Sequence, residues 1–286
     1  MKKSGKRLSR EVGLEIGSIC GKYFLKLEDL HYGYWTNGLE VDITNLHKAQ
    51  ADYTEFLISH IPEGVKTILD VGCGTGGLAK RLVDLGYHPD CVSPSAFFAE
   101  QGRKLLGEDV NIFECRYEEV ETEKRYDLIL FAESFQYVDL KQALQKTFRF
   151  LNEGGYMLIC DIFRKDVAGK SSQRGGHRLR QLSEFTTEYP FTCIKDLDIT
   201  EETAPTIDIL ADALRNVGQP VLHSGLRLLS GRHPVVFKLL TWKYQKRLSR
   251  INERYFEGRR TGEDFKKFKS YRLLLYKKAH SNYTHS

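Results

Sequence analysis

The stretch ILDVGCGTGG, residues 68–77, holds the residues best spaced for chemistry in this chain. An apolar run leads to Asp70, and four glycines then fall within six residues: Gly72, Gly74, Gly76 and Gly77. Glycine takes positive φ freely and has no Cβ, so a turn of this composition lets a ligand approach the backbone closely. Several ligand chemistries compete for such a turn. A P-loop needs GxxxxGK followed by Ser or Thr, and no lysine follows these glycines. Read as Gly72-x-Gly74-x-Gly76, the turn departs from the GxGxxG dinucleotide fingerprint, and an acid at position 70 repels a pyrophosphate. An acid beside an open backbone suits a cationic ligand end. The remaining alternative is a bare tight turn.

Further candidates lie in FAESFQYV (131–138), with Glu133, Ser134, Gln136 and Tyr137, and in the aromatic segment HYGYW (31–35), with His31, Tyr32, Tyr34 and Trp35. His177 is a third candidate base. Glu133 reads equally as the N-cap of a following helix.

To position these groups, the chain must bring several strand ends to one edge. Short apolar runs at 67–71, 88–92, 110–115, 126–132 and 155–163 alternate with helical patterns at 76–86, 95–106 and 139–151, with a short turn at 117–121. Near-continuous apolar strands separated by helices predict a parallel sheet covered on both faces, an α/β doubly wound fold. Two later strands are expected at 191–200 and 270–279, and helices at 47–61, 203–217 and 234–256. In the last, Val236, Leu240, Tyr244, Leu248, Ile251 and Tyr255 recur at three and four residues, as one apolar face does. The polar, glycine-bearing stretch 164–190 predicts a loop.

With those elements in place, LDVGCGTGG resembles motif I of class I S-adenosylmethionine-dependent methyltransferases, and LNEGGYMLICDIF (151–163) resembles the family's late glycine turn and fifth strand. The resemblance implies a Rossmann-like seven-stranded methyltransferase sheet with helices on both faces. It divides the chain into an N-terminal cap (1–47), a cofactor-binding core (48–163), a loop and helical substrate lid (164–269, with a strand near 191–200) and a last strand and tail (270–286). The implied cofactor is S-adenosyl-L-methionine, whose cationic aminoacyl end Asp70 supports while Gly72, Cys73, Gly74 and Gly76 offer the backbone. The position that binds the ribose hydroxyls, acidic in many members, falls on Ser93, next to Pro94. The acid expected after the third strand is replaced by Arg116, followed by Tyr117. Ala132 ends the fourth strand beside the cofactor. The HYGYW segment resembles the cap of small-molecule and lipid methyltransferases such as the tocopherol, sterol and antibiotic enzymes. That likeness implies Tyr32 and Tyr34 over the sulfonium, by cation–π contact, and Trp35, Gln136 and Tyr137 toward substrate.

Methyl transfer to a good nucleophile needs mainly in-line positioning. Transfer to a hydroxyl adds a base, for which Glu133, His31 and His177 are candidates. The implied function is methylation of a small-molecule or lipid-like acceptor at O, N or C. The alternatives are an RNA methyltransferase or a non-catalytic cofactor-binding module docking on an anionic surface.

Charge and composition bound these readings. The chain has 286 residues and a formal net charge of +5, yet residues 221–286 hold sixteen Lys and Arg against four Asp and Glu. Such asymmetry suits an anionic partner, for instance an anionic membrane surface, or the solvated faces of helices. An (N/D/S)PP(Y/F) motif, the usual mark of amino-group methylation on nucleic acid, is absent. There is no run of about eighteen apolar residues and no apolar segment behind the basic N-terminus, so neither a membrane span nor a secretory signal is expected. Six cysteines without a CxxC pair predict reduced thiols and a cytoplasmic protein, with no metal constellation.

Overall fold

The structure is a computed structural model that describes residues 5–36, 38–169, 173, 175–255 and 260–279. Its strands are β1 (Thr67–Val71), β2 (His88–Val92), β3 (Ile112–Phe113), β4 (Tyr126–Ala132), β5 (Leu151–Arg164), β6 (His177–Arg178), β7 (Phe191–Asp198) and β8 (Lys269–Lys278). They form one sheet in the order β3-β2-β1-β4-β5-β8-β7, with β6 beside the end of β5. Strands β1 to β5 pair in parallel, while β8 runs antiparallel to both β5 and β7. The α/β expectation holds, and β8 adds to it an antiparallel end.

Both faces of the sheet are covered, which explains the unbroken apolar strands. Leu69, Ile129, Phe131, Met157 and Ile159 point into one core layer, and Ile68, Leu128, Leu130, Leu158 and Cys160 into the other. The first layer is closed by α5 (Leu140–Phe150) and α6 (Leu179–Thr186) through Leu144, Phe150 and Leu182. The second is closed by α2 (Leu46–Ile58), α3 (Gly77–Asp84), α8 (Pro205–Ala213) and α11 (Gly262–Phe268) through Tyr53, Leu57, Leu82, Ile207 and Phe265. The helix α4 (Ala96–Leu106) packs Ala99 beside Cys91 and Ile112.

Several elements differ from expectation. The strand expected at 110–115 shortens to two residues at the sheet's edge. The expected loop at 164–190 contains β6 and the whole of α6, whose Leu182 is fully buried. A 21-residue helix, α1 (Gly5–Leu25), occupies the N-terminal cap. Gly13, Gly17 and Gly21 disfavour a helix by propensity, so sequence pattern gave it no support.

After α7 (Thr200–Thr203) and α8, the chain continues as a π-helical segment (Leu214–Gly218), α9 (Gln219–Arg232) and α10 (Pro234–Tyr255). This is the expected lid region, yet α9 buries no side chain. Of the stripe expected on α10, Tyr244 is 40 % exposed; the side chains of Val236, Leu240, Leu248, Ile251 and Tyr255 lie outside the described residues.

Candidate cofactor and acceptor site

A cavity of about 870 Å³ opens at the carboxyl edge of the parallel strands, where open α/β sheets bind ligands. Its floor is the turn after β1. Gly72, Gly74 and Gly76 all have positive φ, at 85°, 57° and 91°. The Gly72 and Cys73 amides both reach the Val92 carbonyl at the end of β2 (2.8 and 3.3 Å), which pins the turn. A Cβ on Gly72 would stand 2.4 Å from the Ser134 Cβ. Gly74 and Cys73 face the cavity. Gly76 does not: it begins α3 and lies against Gly102 and Leu106, so its role is to let two helices approach.

Asp70 is buried at the cavity's floor, and its Oδ2 has no hydrogen-bond partner. Burial, with Asp29 adding repulsion, pushes its carboxyl up to about 7. Asp29 is a second acid that sequence reasoning missed. It lines the same cavity, lies 3.4 Å from the Thr75 hydroxyl and is itself raised, chiefly by burial. Two acids in LEDL ahead of an aromatic run were its only signal.

Over β2 and β3 the wall is Val92, Ser93, Pro94, Ser95 and Phe98. The Ser93 hydroxyl is directed at the Ser95 carbonyl (3.4 Å), while the Ser95 hydroxyl is buried without a partner. Arg116 and Tyr117 complete this end. The Arg116 guanidinium is held by Glu118 Oε1 at 2.7 Å, and the Tyr117 hydroxyl by Thr147 at 3.0 Å, so both face the cavity already engaged.

At the other end, Glu133 follows β4 with φ of 55°, outside any helix, so the N-cap alternative fails. Its Oε1 accepts the Tyr32 amide at 2.5 Å and the Tyr271 hydroxyl at 2.6 Å, tying the N-terminal segment to β8. Burial pushes the Glu133 carboxyl up to about 8. Ala132, Gln136 and Tyr137 also line the cavity. Gln136 is fixed through its amide and side chain to Asp161, both at 2.9 Å. His31 lines the cavity too, with Nδ1 2.9 Å from the Tyr32 carbonyl and Nε2 3.8 Å from Asp29.

Besides Gly76, three expected site residues stand elsewhere. Tyr34 stacks on Phe56 at 4.5 Å rather than facing the cavity. Trp35 is buried, and its indole N–H donates to Thr206 Oγ1 at 2.9 Å, so it anchors the cap to α8. His177 Nε2 is 3.1 Å from both the Phe135 and Val138 carbonyls, which makes it a brace for the turn after β4. The expected lid helices also miss: none of the described residues of 203–255 lines the cavity. Its cover comes from Leu14 of α1, from residues 29–32, and from Gln173 and Arg260. A second site residue missed in sequence is Lys269, the first residue of β8 and one of four cations on that strand.

The strand order, the glycine turn and the cavity over it define a Rossmann-like methyltransferase fold. Residues 68–155 match the family described as "Methyltransferase domain". A ubiquinone biosynthesis O-methyltransferase of Rickettsia felis is 27 % identical over 162 residues, covering 54 % of this chain and 66 % of that protein. The chain thus spans slightly under two thirds of the length of that relative. A geranyl diphosphate C-methyltransferase of Streptomyces coelicolor, solved with Mg2+, geranyl diphosphate and S-adenosyl-L-homocysteine, superposes with a TM-score of 0.65 at 18 % identity over 98 % of this chain and all of that one. The [4+2]-cyclase SpnF superposes with a TM-score of 0.67 at 16 % identity, covering 96 % of each chain. The last two likenesses concern fold alone, and a fold hosts more than one chemistry.

The residues present fit S-adenosylmethionine. A partnerless buried carboxylate beside a glycine cradle suits its ammonium, and an apolar wall with a spare hydroxyl suits its nucleoside. Among the described residues no helix is long and apolar enough to cross a membrane.

Proposed function

We propose that this protein is an S-adenosylmethionine-dependent methyltransferase acting on a small-molecule or lipid-like acceptor. The observation that carries this reading is Asp70 Oδ2, buried without a partner where the glycine turn opens. Leaving a buried carboxylate unpaired is costly, and a ligand ammonium offsets that cost. The cofactor supplies an electrophilic methyl group on a sulfonium. The chain's own residues then do the rest: the glycine turn and Asp70 hold the aminoacyl end, and Ser93, Pro94 and Phe98 flank the nucleoside. Glu133, at the junction of β4, β8 and the N-terminal segment, is the candidate base for a hydroxyl acceptor. Its elevated pKa brings it close to the operating range of such a base. His31, held by the Tyr32 carbonyl, orients that segment.

The test is incubation with methyl-labelled S-adenosylmethionine and separate lipid, small-metabolite and RNA extracts. Label in the lipid or metabolite fraction is expected. Label in RNA alone refutes the acceptor class, and cofactor binding without any label favours a non-catalytic binding module.

An anionic membrane surface is proposed as the place of work, on one specific observation. Helices α9 and α10 display Val221, Leu228, Val235, Leu239 and Trp242, between 60 % and 78 % exposed, beside Arg227, Arg232, Lys238 and Lys243. Apolar residues interleaved with cations suit the headgroup boundary of anionic lipid. Flotation with phosphatidylserine vesicles, but not with phosphatidylcholine vesicles, is the expected result. Equal recovery with both, or with neither, refutes it.

A further inference from the structure

Lys269 is the first residue of β8, and it is 2 % exposed. Its Nζ donates to the Gly175 carbonyl at 2.6 Å. An ammonium has three N–H donors, so two remain. Among the described residues no carboxylate forms an ion pair with it. Its partner across the ladder is Arg164, a second cation; burial, then Arg164, outweigh the opposing pull of the Asp264 carboxylate and push the lysine down to about 8. Lys269 nonetheless lines the cavity described above, together with Arg260, whose side chain reaches the Tyr32 hydroxyl. A buried cation with no carboxylate at ion-pair distance is costly, and a ligand oxyanion offsets that cost.

The position within the cavity separates this pair from the glycine turn. From β1 the sheet runs through β4 and β5 to β8. Three steps of about 4.8 Å separate the strands laterally by roughly 14 Å, and the register carries Lys269 further along the sheet still. One ligand group does not touch both Asp70 and Lys269. The two ends also differ in sign: paired acids Asp29 and Asp70 at one, cations Lys269 and Arg260 at the other.

We propose that Lys269 and Arg260 form an anion-binding subsite at the acceptor end of the cavity, and that the methyl acceptor carries a carboxylate or phosphate group that docks there. This deepens the methyltransferase reading and rests on it. The subsite orients the acceptor by its charged end, leaving the atom to be methylated free to lie between β4 and the glycine turn. Carboxylate and phosphate are the same chemistry to this pair: a compact oxyanion that takes several charge-assisted hydrogen bonds.

The experiment titrates inorganic phosphate and malonate, separately, into the full chain saturated with S-adenosylhomocysteine, followed by calorimetry. At least one anion is expected to bind at one site per chain; the tighter of the two names the acceptor's group. Lys269→Met and Arg260→Gln are each expected to weaken it about tenfold or more, the ratio for loss of hydrogen bonds to a charged group. S-adenosylhomocysteine affinity stays within about twofold of the parent, because neither residue touches its end of the cavity. Arg260 is only half-buried, so its variant keeps the test open should Lys269→Met lower stability. Absence of anion binding in the parent protein, or binding unchanged in both variants, overturns the proposal. Anion binding without S-adenosylhomocysteine binding retains the subsite and refutes the methyltransferase reading instead.

Discussion

Replacing Asp70 by asparagine tests the charge logic of the site. Burial, then the Asp29 carboxylate, lifts Asp70 from the ordinary aspartate range, 3.8, to about 7. A rise of that size corresponds to about 4 kcal/mol against the ionised form in the ligand-free fold. Below pH 4 the residue is protonated in both folded and unfolded chains, so nothing is lost. As pH rises the unfolded chain gives up its proton first, and the folded chain keeps it until about 7. Stability therefore falls across that window and stays low above it. Asparagine has nearly the same shape as aspartate and never ionises. The Asp70→Asn variant is expected to exceed the parent by about 1.5 kcal/mol near pH 5 and by up to about 4 kcal/mol at pH 8, the latter roughly 8 °C in melting temperature for a chain of this size. With S-adenosylhomocysteine present the advantage shrinks or reverses, because the ammonium finds a neutral amide, and affinity falls at least about tenfold. Parent affinity should also decline below pH 7, since binding expels the Asp70 proton. The assay is thermal melting at pH 5 and pH 8, with and without S-adenosylhomocysteine. A variant less stable than the parent at pH 8 without ligand, or a difference independent of pH, refutes the argument.

Three more outcomes follow from the contacts. Glu133→Gln keeps an acceptor for Tyr32 and Tyr271, so folding persists; if Glu133 is the base, the parent's methyl-transfer rate climbs with pH toward a plateau above about 8, and the variant loses both that limb and most of its rate. An unchanged pH–rate profile excludes Glu133. Gly72→Ala forces a Cβ 2.4 Å from Ser134 at positive φ, a cost of about 2–4 kcal/mol that urea unfolding will show; a loss below about 0.5 kcal/mol contradicts the fit of the turn. Trp35→Phe removes the hydrogen bond to Thr206 and should cost about 1 kcal/mol while leaving S-adenosylhomocysteine affinity unchanged; weaker ligand binding by this variant would return Trp35 to the site.

The legible parts of the chain were those whose signal is local. Five strands, their order of appearance and the turn at 72–77 are written in apolar runs and glycines, and each forms close to where the pattern puts it. The glycine spacing was less decisive than it first reads: Gly72, Gly74 and Gly77 also satisfy GxGxxG, so spacing alone does not exclude a dinucleotide, and the buried acid ahead of the turn carries the distinction. The aromatic cap misled for a physical reason. HYGYW has the residue types of a cation–π enclosure, yet Tyr34 and Trp35 find partners in Phe56 and Thr206 once α2 and α8 are in place. Nothing in five residues specifies which helices will stand behind them.

By itself, then, the sequence determined the α/β sheet, the glycine turn with its acid, and the departures at Ser93 and Arg116, because strand period and backbone permissiveness are properties of neighbours in the chain. Only the tertiary structure decided which distant groups share the cavity. Asp29 meets Asp70 across 41 positions, and Glu133 joins Tyr32 to Tyr271 across a far longer span. Lys269 enters the cavity solely because β8 turns back antiparallel beside β5, bringing its first residue to the edge where the parallel strands end. That reversal is a matter of long-range pairing, and no local pattern in the chain encodes it.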